Sequence, residues 1–444
     1  MTSSSAEAPA RLRRLRLSSG SRWPVGYLIA AIAFFLLYYM ISEGYLPSGI
    51  SSWFTTWIPM GTINQALVWV MCAVGLNIVV GYAGLLDLGY VAFWAIGSYV
   101  AGWLMSSFFV GLKINVLGNN PFFTTHGIHI NFWLVIIVAA AFCALWGVII
   151  GAPTLRLRSD YLALVTLGFG EIIPQFFHNA DKQHIGVNIS NGTQGISPLD
   201  SINGVQFKDT GGIGWGPLLP ANELSRYLFF IALTAVIIFI SLRLRVGRLG
   251  RAWLAIREDE LAAGSMGVPL MRTKLAAYAV GAVAGGVAGV AFAVETTGVS
   301  PDSFAFSNSI TLLAMVVLGG MGNVWGVILG ALVLAWFNIS GLKNLGDTFN
   351  STFSTHVNFT NYEFLVFGVA LVLMMLFRRE GFIPEARTRL VLREPGRTEM
   401  ESLGSDMEQV SPELDEIVEE DSATTAVGPA SGGAGDHTSE GVQR

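Results

Sequence analysis

The sequence predicts an all-α protein, a polytopic membrane helical bundle of about ten transmembrane segments. Two observations lead to this prediction. Hydrophobic residues make up 52% of the 444 residues and charged residues only 13%, whereas about a quarter of a soluble domain is charged. Apolar runs close to the roughly 20 residues that cross a bilayer as a helix also recur along the chain. A soluble domain of this length would not place such runs one after another.

The apolar runs define the predicted spans in chain order. They lie near residues 25–42, 61–81, 89–110, 132–151, 160–178, 226–243, 274–297, 307–321, 324–340 and 362–377. The run at 307–321 is short for a full crossing at about 1.5 Å per residue. Two full crossings or one re-entrant hairpin therefore both fit residues 307–340. The longest polar loops fall at 179–225 and 341–361, where a soluble partner would find room to dock.

Basic residues orient the bundle. Ten crossings put both termini on one side, and 21 of the 26 Lys and Arg residues then fall on that side. Seven of them lie in the largest loop on that side, between residues 243 and 274. Because cytoplasmic loops of membrane proteins carry an excess of Lys and Arg, we expect both termini in the cytoplasm.

Composition divides the chain into three regions. Residues 1–24 form a basic cytoplasmic segment, residues 25–379 the transmembrane domain, and residues 380–444 a cytoplasmic tail. From about residue 394 the tail consists mainly of Glu, Asp, Ser, Gly and Ala, with an acidic cluster at 413–421. Such a segment buries too little apolar area to offset the entropy of ordering it, so we expect it to be disordered.

Glycines interrupt the apolar pattern at two places on the predicted inner side. The sequence GYAGLLDLG at 81–89 breaks a nearly continuous apolar stretch, and GGMGN at 319–323 separates two further runs. Irregular backbone at membrane depth persists only where protein or a water-filled cavity satisfies its polar groups. Paired breaks in the two halves of a transporter indicate its pathway. The alternative for each break is an ordinary tight turn at the inner face.

The large basic loop contains a short Ala- and Gly-rich helix, predicted at 258–267. Its acidic start suits a helix N-terminus, Gly267 suits its end, and Pro269 stops it. A helix in this position would face a cytoplasmic partner, and its small residues would let that partner approach closely. The residues assigned to this contact are Glu258, Asp259, Glu260, Ala262, Ala263 and Gly267. The alternative is a plain connector whose arginines only set the topology.

Polar residues inside the spans are the candidates for a translocation pathway. Glu171 is the clearest, because a charge at mid-span costs about 2–3 kcal/mol and therefore faces the bundle or a wet cavity. A structural hydrogen bond between helices explains Glu171 equally well. The candidate pathway residues are Asn77, Thr166, Glu171 and Asn323.

The sequence lacks three common motifs of nucleotide-binding proteins and hydrolases. It contains no GxxxxGK[ST] phosphate loop, no HExxH and no GxSxG. Cys72 and Cys143 both lie in apolar runs, without the spacing of a metal site. We expect a non-catalytic subunit without cofactor, metal or nucleic-acid partner, driven by the chemistry of another protein.

Six segments together resemble the family of ABC-importer permeases for branched-chain amino acids, and within it the LivM-type subunit. They occur in order between about residues 62 and 379. They are GLNIVVGYAGLLDLGY at 75–90, PTLRLRSDYLA at 153–163, TLGFGE at 166–171, NGTQGI at 191–196, AIREDE at 255–260 and LGGMGN at 318–323. The family also includes permeases for urea and short amides, which leaves the small polar solute open.

The resemblance implies a multisubunit importer in the plasma (inner) membrane of a bacterium, surrounded by membrane lipid. Its parts are two permease subunits, two cytoplasmic ATPase subunits that hydrolyse ATP, and an external solute-binding protein. The family's coupling helix often reads EAAxxxG. Here Ala262, Ala263 and Gly267 keep that spacing, but Leu261 occupies the Glu position and the acid falls at Glu260. The alternative from another class is a stand-alone secondary carrier or channel, with its coupling ion near Glu171 or the glycine breaks.

Overall fold

A computed structural model describes most of the transmembrane region. The described residues are 22–42, 44–45, 47–116, 126–157, 159–181, 186–200, 202, 223–353, 358–378 and 381–383. All of them fall in a compact unit, Met1–Glu385. Nearly all of the predicted N-terminal segment, and the tail from residue 384 with its predicted disorder, lie outside the described residues.

The described residues form the predicted all-α bundle, and every predicted span contains a helix. The α-helices are α1 (Arg22–Ser42), α2 (Ser48–Trp57), α3 (Met60–Asn77), α4 (Val91–Leu104), α5 (Phe132–Thr154), α6 (Ser159–Asn179), α7 (Glu223–Val246), α8 (Arg248–Glu258), α9 (Glu260–Ser265), α10 (Leu270–Glu295), α11 (Phe306–Gly319), α12 (Val324–Trp336), α13 (Leu342–Phe353) and α14 (Glu363–Phe377). A π-helical turn, Ile78–Tyr82, continues α3, and a second, Phe337–Gly341, joins α12 to α13. The predicted loop at 341–361 is therefore wrong over α13, where the helix continues beyond the apolar run into a more polar segment.

Helix lengths bear on the number of crossings. Within the described residues, six helical segments are long and apolar enough to cross a membrane: Ser48–Tyr82, Phe132–Thr154, Arg226–Val246, Leu270–Glu295, Pro301–Gly319 and Val324–Phe353. Shorter apolar helices cover Gly26–Ile41, Val91–Leu104 and Glu363–Met374. With 14 residues, α11 is about 21 Å long. The total of ten crossings stays a prediction.

The centre of the bundle is α10, which packs against α3, α4 and α5. Glycines let α10 and α4 approach each other to backbone contact. A Cβ added at Gly97 would lie 2.2 Å from the carbonyl oxygen of Gly286, and one at Gly289 would lie 2.4 Å from that of Trp94. Small residues at such crossings replace side-chain packing by close backbone packing, which is the usual way helices associate in membranes.

Short strands cover one end of α4 and α10, which we call the β end. Strand β1 (Met105–Ser106) pairs antiparallel with β3 (Gly127–Ile130), and β2 (Lys113–Val116) pairs parallel with β3. Isolated bridges add Leu199 to Ser106 and Ile196 to Val299. Hydrogen-bonded backbone therefore links the connections that follow α4, α6 and α10.

Helices α8 and α9 form a helical hairpin at the opposite end, which we call the hairpin end. They connect α7 to the first residue of α10, whereas the β end lies beyond the last residue of α10. The predicted single helix at 258–267 is wrong in its boundaries. Glu258 is the last residue of α8, and Asp259 separates α8 from the short α9, because its extended backbone (φ −154°, ψ 113°) ends one helix and begins the next.

Candidate coupling and translocation sites

The residues that flank α9 stabilise its helical conformation. The Oδ1 atom of Asp259 accepts hydrogen bonds from the backbone N–H groups of Leu261 (2.8 Å) and Ala262 (3.0 Å). An N-cap of this kind stabilises a helix by about 1 kcal/mol. Past its end, Gly267 takes a φ of +85°, a conformation that favours glycine. Asp259 and Gly267 thus occupy the start and stop positions expected of them.

Two large apolar side chains project from the α9 region into open space. Leu261 is 83% exposed and Met266 is 86% exposed, whereas Ala263 is only 5% exposed and faces the protein. Ala262 is exposed beside Leu261. Sequence reasoning favoured the small residues and missed Leu261 and Met266. The available signal was an apolar residue at the family's Glu position, in a loop otherwise rich in charge.

The hairpin is anchored to the start of α10 by two side-chain contacts. The indole Nε1 of the fully buried Trp253 donates to the carbonyl oxygen of Thr273 (2.8 Å). The ammonium Nζ of Lys274 lies 2.6 Å from Oε1 of Glu260. The Lys274 side chain is only 8% exposed, so Glu260 supplies the counter-charge that this buried lysine needs. Glu260, assigned to the partner contact, therefore also holds its own chain together.

A third contact joins the hairpin to the glycine break at 81–89. The guanidinium Nη1 of Arg257, near the end of α8, donates to the carbonyl oxygen of Gly81. The aliphatic part of Arg257 lies over Gly84, where a Cβ would sit 2.9 Å from Arg257 Cγ. Gly84 also has a φ of +69°, which favours glycine. The last turn of α8 is thus packed directly on the irregular backbone that follows α3.

Most of the break at 81–89 is buried in protein, with Gly84 and Leu86 exposed, and side chains satisfy part of its backbone. The Leu88 N–H donates to Oγ1 of Thr166 (3.1 Å), and the Leu88 carbonyl accepts from Oγ of Ser309 (2.6 Å). The Gly89 N–H donates to Oδ1 of Asp87 (2.9 Å), whose side chain is buried. Thr166 belongs to α6, and it is fully buried where that helix contacts this segment. Irregular backbone is tolerated at this place because neighbouring helices supply its partners.

The two glycine breaks meet through Asn77. Its Oδ1 accepts from the Gly322 N–H (2.9 Å), and Asn77 itself is fully buried in the last turn of α3. Gly81 completes the contact, because a Cβ there would lie 2.7 Å from the Gly322 nitrogen. The sequence identified both breaks but carried no information that they touch.

The chain after α14 returns to the second break. The Phe382 N–H donates to the Leu318 carbonyl (2.8 Å), and Nδ2 of Asn323 donates to the Ile383 carbonyl (3.2 Å). Asn323 also caps α12, since its Oδ1 accepts from the Trp325 N–H (3.1 Å). Residues 382 and 383 thereby donate hydrogen bonds to two carbonyl groups at the C-terminal end of α11, where helix carbonyls have no partner within the helix.

Glu171 lies apart from this cluster, exposed on α6. It faces a groove of about 500 Å³ that runs between α6, α11 and α14. The walls are mainly apolar, with hydroxyl groups from α11: Ala305, Phe306, Ser307, Ile310, Thr311, Ala314, Phe364, Phe367, Gly368 and Leu371. The groove can hold a solute with an apolar part and a cationic or hydrogen-bonding group near Glu171.

The structure thus places the four candidate pathway residues in two regions. Asn77, Thr166 and Asn323 lie around the glycine breaks at the hairpin end, and Glu171 lines the groove. A direct role for each of them in translocation stays a prediction. Within the described ranges, no three His, Cys, Asp or Glu side chains are grouped so that they could hold a metal ion.

Comparison with known proteins identifies the family. Residues 58–377 match the family described as the permease component of branched-chain amino acid transport systems. The permease protein LivM of the high-affinity branched-chain amino acid transport system from Escherichia coli (strain K12) is 35% identical over 351 residues, covering 76% of this chain and 73% of the relative. No solved structure matches the chain.

Two further relatives are more distant. A probable branched-chain amino acid permease LivM from Methanocaldococcus jannaschii is 26% identical, covering 73% of this chain and 93% of the relative. The permease LivH from Salmonella typhimurium is 22% identical over 72% of this chain. The match spans the glycine breaks, the α8–α9 hairpin and the groove, and with the helical bundle it shows that this chain belongs to the permease family of branched-chain amino acid transport systems.

Proposed function

We propose that this chain is the LivM-type permease subunit of an ABC importer and that it moves branched-chain amino acids into the cytoplasm. Both kinds of permease among its relatives, LivM and LivH, carry branched-chain amino acid transport in their names. A LivH-like permease is the natural second subunit. Urea and short amides are the competing solutes.

The observation that carries the proposal is the groove beside Glu171. A branched-chain amino acid presents an ammonium group next to a small apolar side chain. The carboxylate of Glu171 and the aromatic walls at Phe306 and Phe364 match those two parts. The groove is open on one side, which a second permease would close. Urea and short amides are uncharged, and they lack the apolar side chain that these walls would bury.

We propose further that the hairpin end faces the cytoplasm. It holds a group of basic side chains, and cytoplasmic surfaces of membrane proteins carry this excess of positive charge. The group is Arg156, Arg243, Arg245, Arg248, Arg251, Arg257, Arg272 and Lys274. Both chain termini would then lie in the cytoplasm, and the β end would face an external solute-binding protein.

In this arrangement the α8–α9 hairpin receives the movement of the ATPase subunits. The exposed side chains of Leu261 and Met266 would insert into an apolar cleft of an ATPase subunit, since burial of each is worth about 1.5–3 kcal/mol. The sequence has no phosphate loop of its own, so hydrolysis is assigned to those partners.

Reconstitution tests the proposal. The chain is purified with a LivH-like permease and ATPase subunits from the same organism and placed in proteoliposomes with the solute-binding protein outside. Uptake of labelled leucine, isoleucine and valine is expected to require ATP and all subunits, with little uptake of urea or acetamide. Uptake by this chain alone without ATP would indicate a secondary carrier or channel. Preferred uptake of urea or acetamide would overturn the assigned substrate.

A further inference from the structure

The contacts at the hairpin end form a continuous connection from α9 to the far side of the bundle. Arg257 binds the Gly81 carbonyl, Gly81 lies against Asn77, and Asn77 binds the Gly322 N–H. The connection crosses from the α8–α9 hairpin to α3 and from α3 to the turn between α11 and α12. We propose that Arg257 is a positioning residue that couples displacement of the hairpin to this turn, a role that rests on the hairpin being the ATPase contact.

The π-helical turn Ile78–Tyr82 is the deformable element in this connection. Such turns hold one extra residue per turn, are rare, and occur mostly at functional sites. Here the turn contains the Gly81 carbonyl that Arg257 holds, and it directly follows Asn77, whose side chain holds Gly322. A pull on Gly81 changes the geometry of the turn, because no ordinary α-helical ladder fixes that carbonyl.

The turn between α11 and α12, at the far end of this connection, would move together with the segments bound to it. Gly320 and Gly322 have φ values of +111° and +86°, and the turn they form is bound on its other side by Phe382 and Asn323 contacts. The groove beside Glu171 is lined by α11, the helix that ends at this turn. Displacing the turn therefore displaces the α11 wall of the groove.

The two basic anchors of the hairpin have different roles. Lys274 binds Glu260 and so connects α9 to the start of α10, which is the next helix in the chain. Arg257 instead reaches the π-helical turn that follows α3, through the Gly81 carbonyl. Loss of Arg257 should therefore leave the hairpin in place but disconnect it from the turn at Gly320–Gly322.

Distance measurements in the assembled transporter test this directly. Single spin labels at Leu249, which is exposed on α8 outside the proposed contact, and at Met321 are each paired with a reference label at Ile137, which is exposed on α5. The native Cys72 and Cys143 are buried and do not compete for the label. Distances are measured without nucleotide and after addition of ATP and vanadate, which traps the hydrolysis product ADP, in the parent protein, in R257M, and in the control R251M. Arg251 lies on the same helix and is exposed, and its guanidinium donates to the nearby Val246 carbonyl.

We expect nucleotide to shift both labels in the parent protein and in R251M. In R257M the shift at Leu249 should persist and the shift at Met321 should be lost. Persistence of both shifts, loss of both, or a Met321 label that does not respond in the parent protein would overturn the role of Arg257. A Leu249 label that does not respond in the parent protein would instead overturn the proposed ATPase contact. Should R257M fail to assemble, R257Q, which keeps a polar but shorter side chain, carries the same expectations.

Discussion

The two ends of the bundle are stabilised in different ways. At the β end, backbone pairing links three separate connections, and a buried His129–Asp200 pair at 2.7 Å holds two of them together. At the hairpin end, single side-chain contacts such as Arg257 to Gly81 and Lys274 to Glu260 join separate helices, and Leu261 stands open to solvent. We therefore expect the β end to resist deformation more than the hairpin end does.

This difference in stabilisation agrees with the different requirements on the two surfaces of an importer. A face that receives a loaded binding protein benefits from a fixed shape. A face that receives an ATPase needs exposed apolar side chains for the contact and a limited number of connections through which movement reaches the pathway. Four changes test this difference, in order of decreasing expected effect.

The largest effect is expected at the β end. In D200A the buried His129 loses the carboxylate that its Nδ1 contacts, and removing one member of a buried pair costs about 3–5 kcal/mol of folding stability where both members are charged. Thermal unfolding of the purified transporter should shift well below that of the parent protein. The matched control H129L/D200L removes both members of the pair and should lose much less, because neither member is left without the other. Equal losses in both variants would show that the pair does not stabilise this end.

At the hairpin end, L261D/M266D should abolish the ATPase contact. Losing burial of two apolar side chains amounts to about 3 kcal/mol or more, roughly a hundredfold in affinity. Co-purification of the ATPase and ATP-driven uptake should both be lost while the two permeases still associate. The control L249D changes an exposed leucine elsewhere in the hairpin. Normal co-purification of the double variant would place the ATPase contact elsewhere.

A smaller effect is expected from a methyl group in the connection. In G81A the new Cβ would lie 2.1 Å from Asn77 Oδ1, so the contact with Gly322 must open, at a cost of about 1–3 kcal/mol. The control G168A, where nothing lies within 4 Å of the new Cβ, should be neutral or slightly stabilising. Uptake should fall in G81A alone. Similar thermal stability and uptake in the two variants would argue against the tight fit seen at Gly81.

The smallest effect is expected in the groove. E171Q keeps the shape of the side chain and removes its charge, and uptake should fall about tenfold, which corresponds to ~1.4 kcal/mol. E171Q/Q175E restores a carboxylate one turn further along the same face of α6 and should recover part of the activity. Initial rates of leucine uptake measure both. Unchanged uptake in E171Q and in E171L would remove Glu171 from the pathway.

Much of the fold followed from local pattern. Apolar runs located a helix in every predicted span, and the acidic start and Gly267 located α9 to within a few residues. The direction of side chains on α9 did not follow, since six residues are too few for a periodic pattern to distinguish Ala263 from Leu261. The α13 helix was missed because its polar Asn, Ser and Thr residues resemble a loop.

The connections between distant segments had no local signal. Asn77 and Gly322 are separated by 245 positions, and Arg257 and Gly81 by 176. Each residue was noticeable alone, as a polar group in an apolar run or a glycine at a break. Their meeting depends on how α3 packs against α11 and α12, which periodicity and charge do not encode.

The most direct test of the hairpin as the ATPase contact is crosslinking. A photoreactive side chain is introduced at Met266 on the hairpin end, or at Val187 on the β end, where the native side chains are 86% and 62% exposed. Illumination of the assembled transporter should join position 266 to an ATPase subunit, and position 187 should give no ATPase product. An ATPase product from position 187, or none from position 266, would contradict the assignment of the two ends.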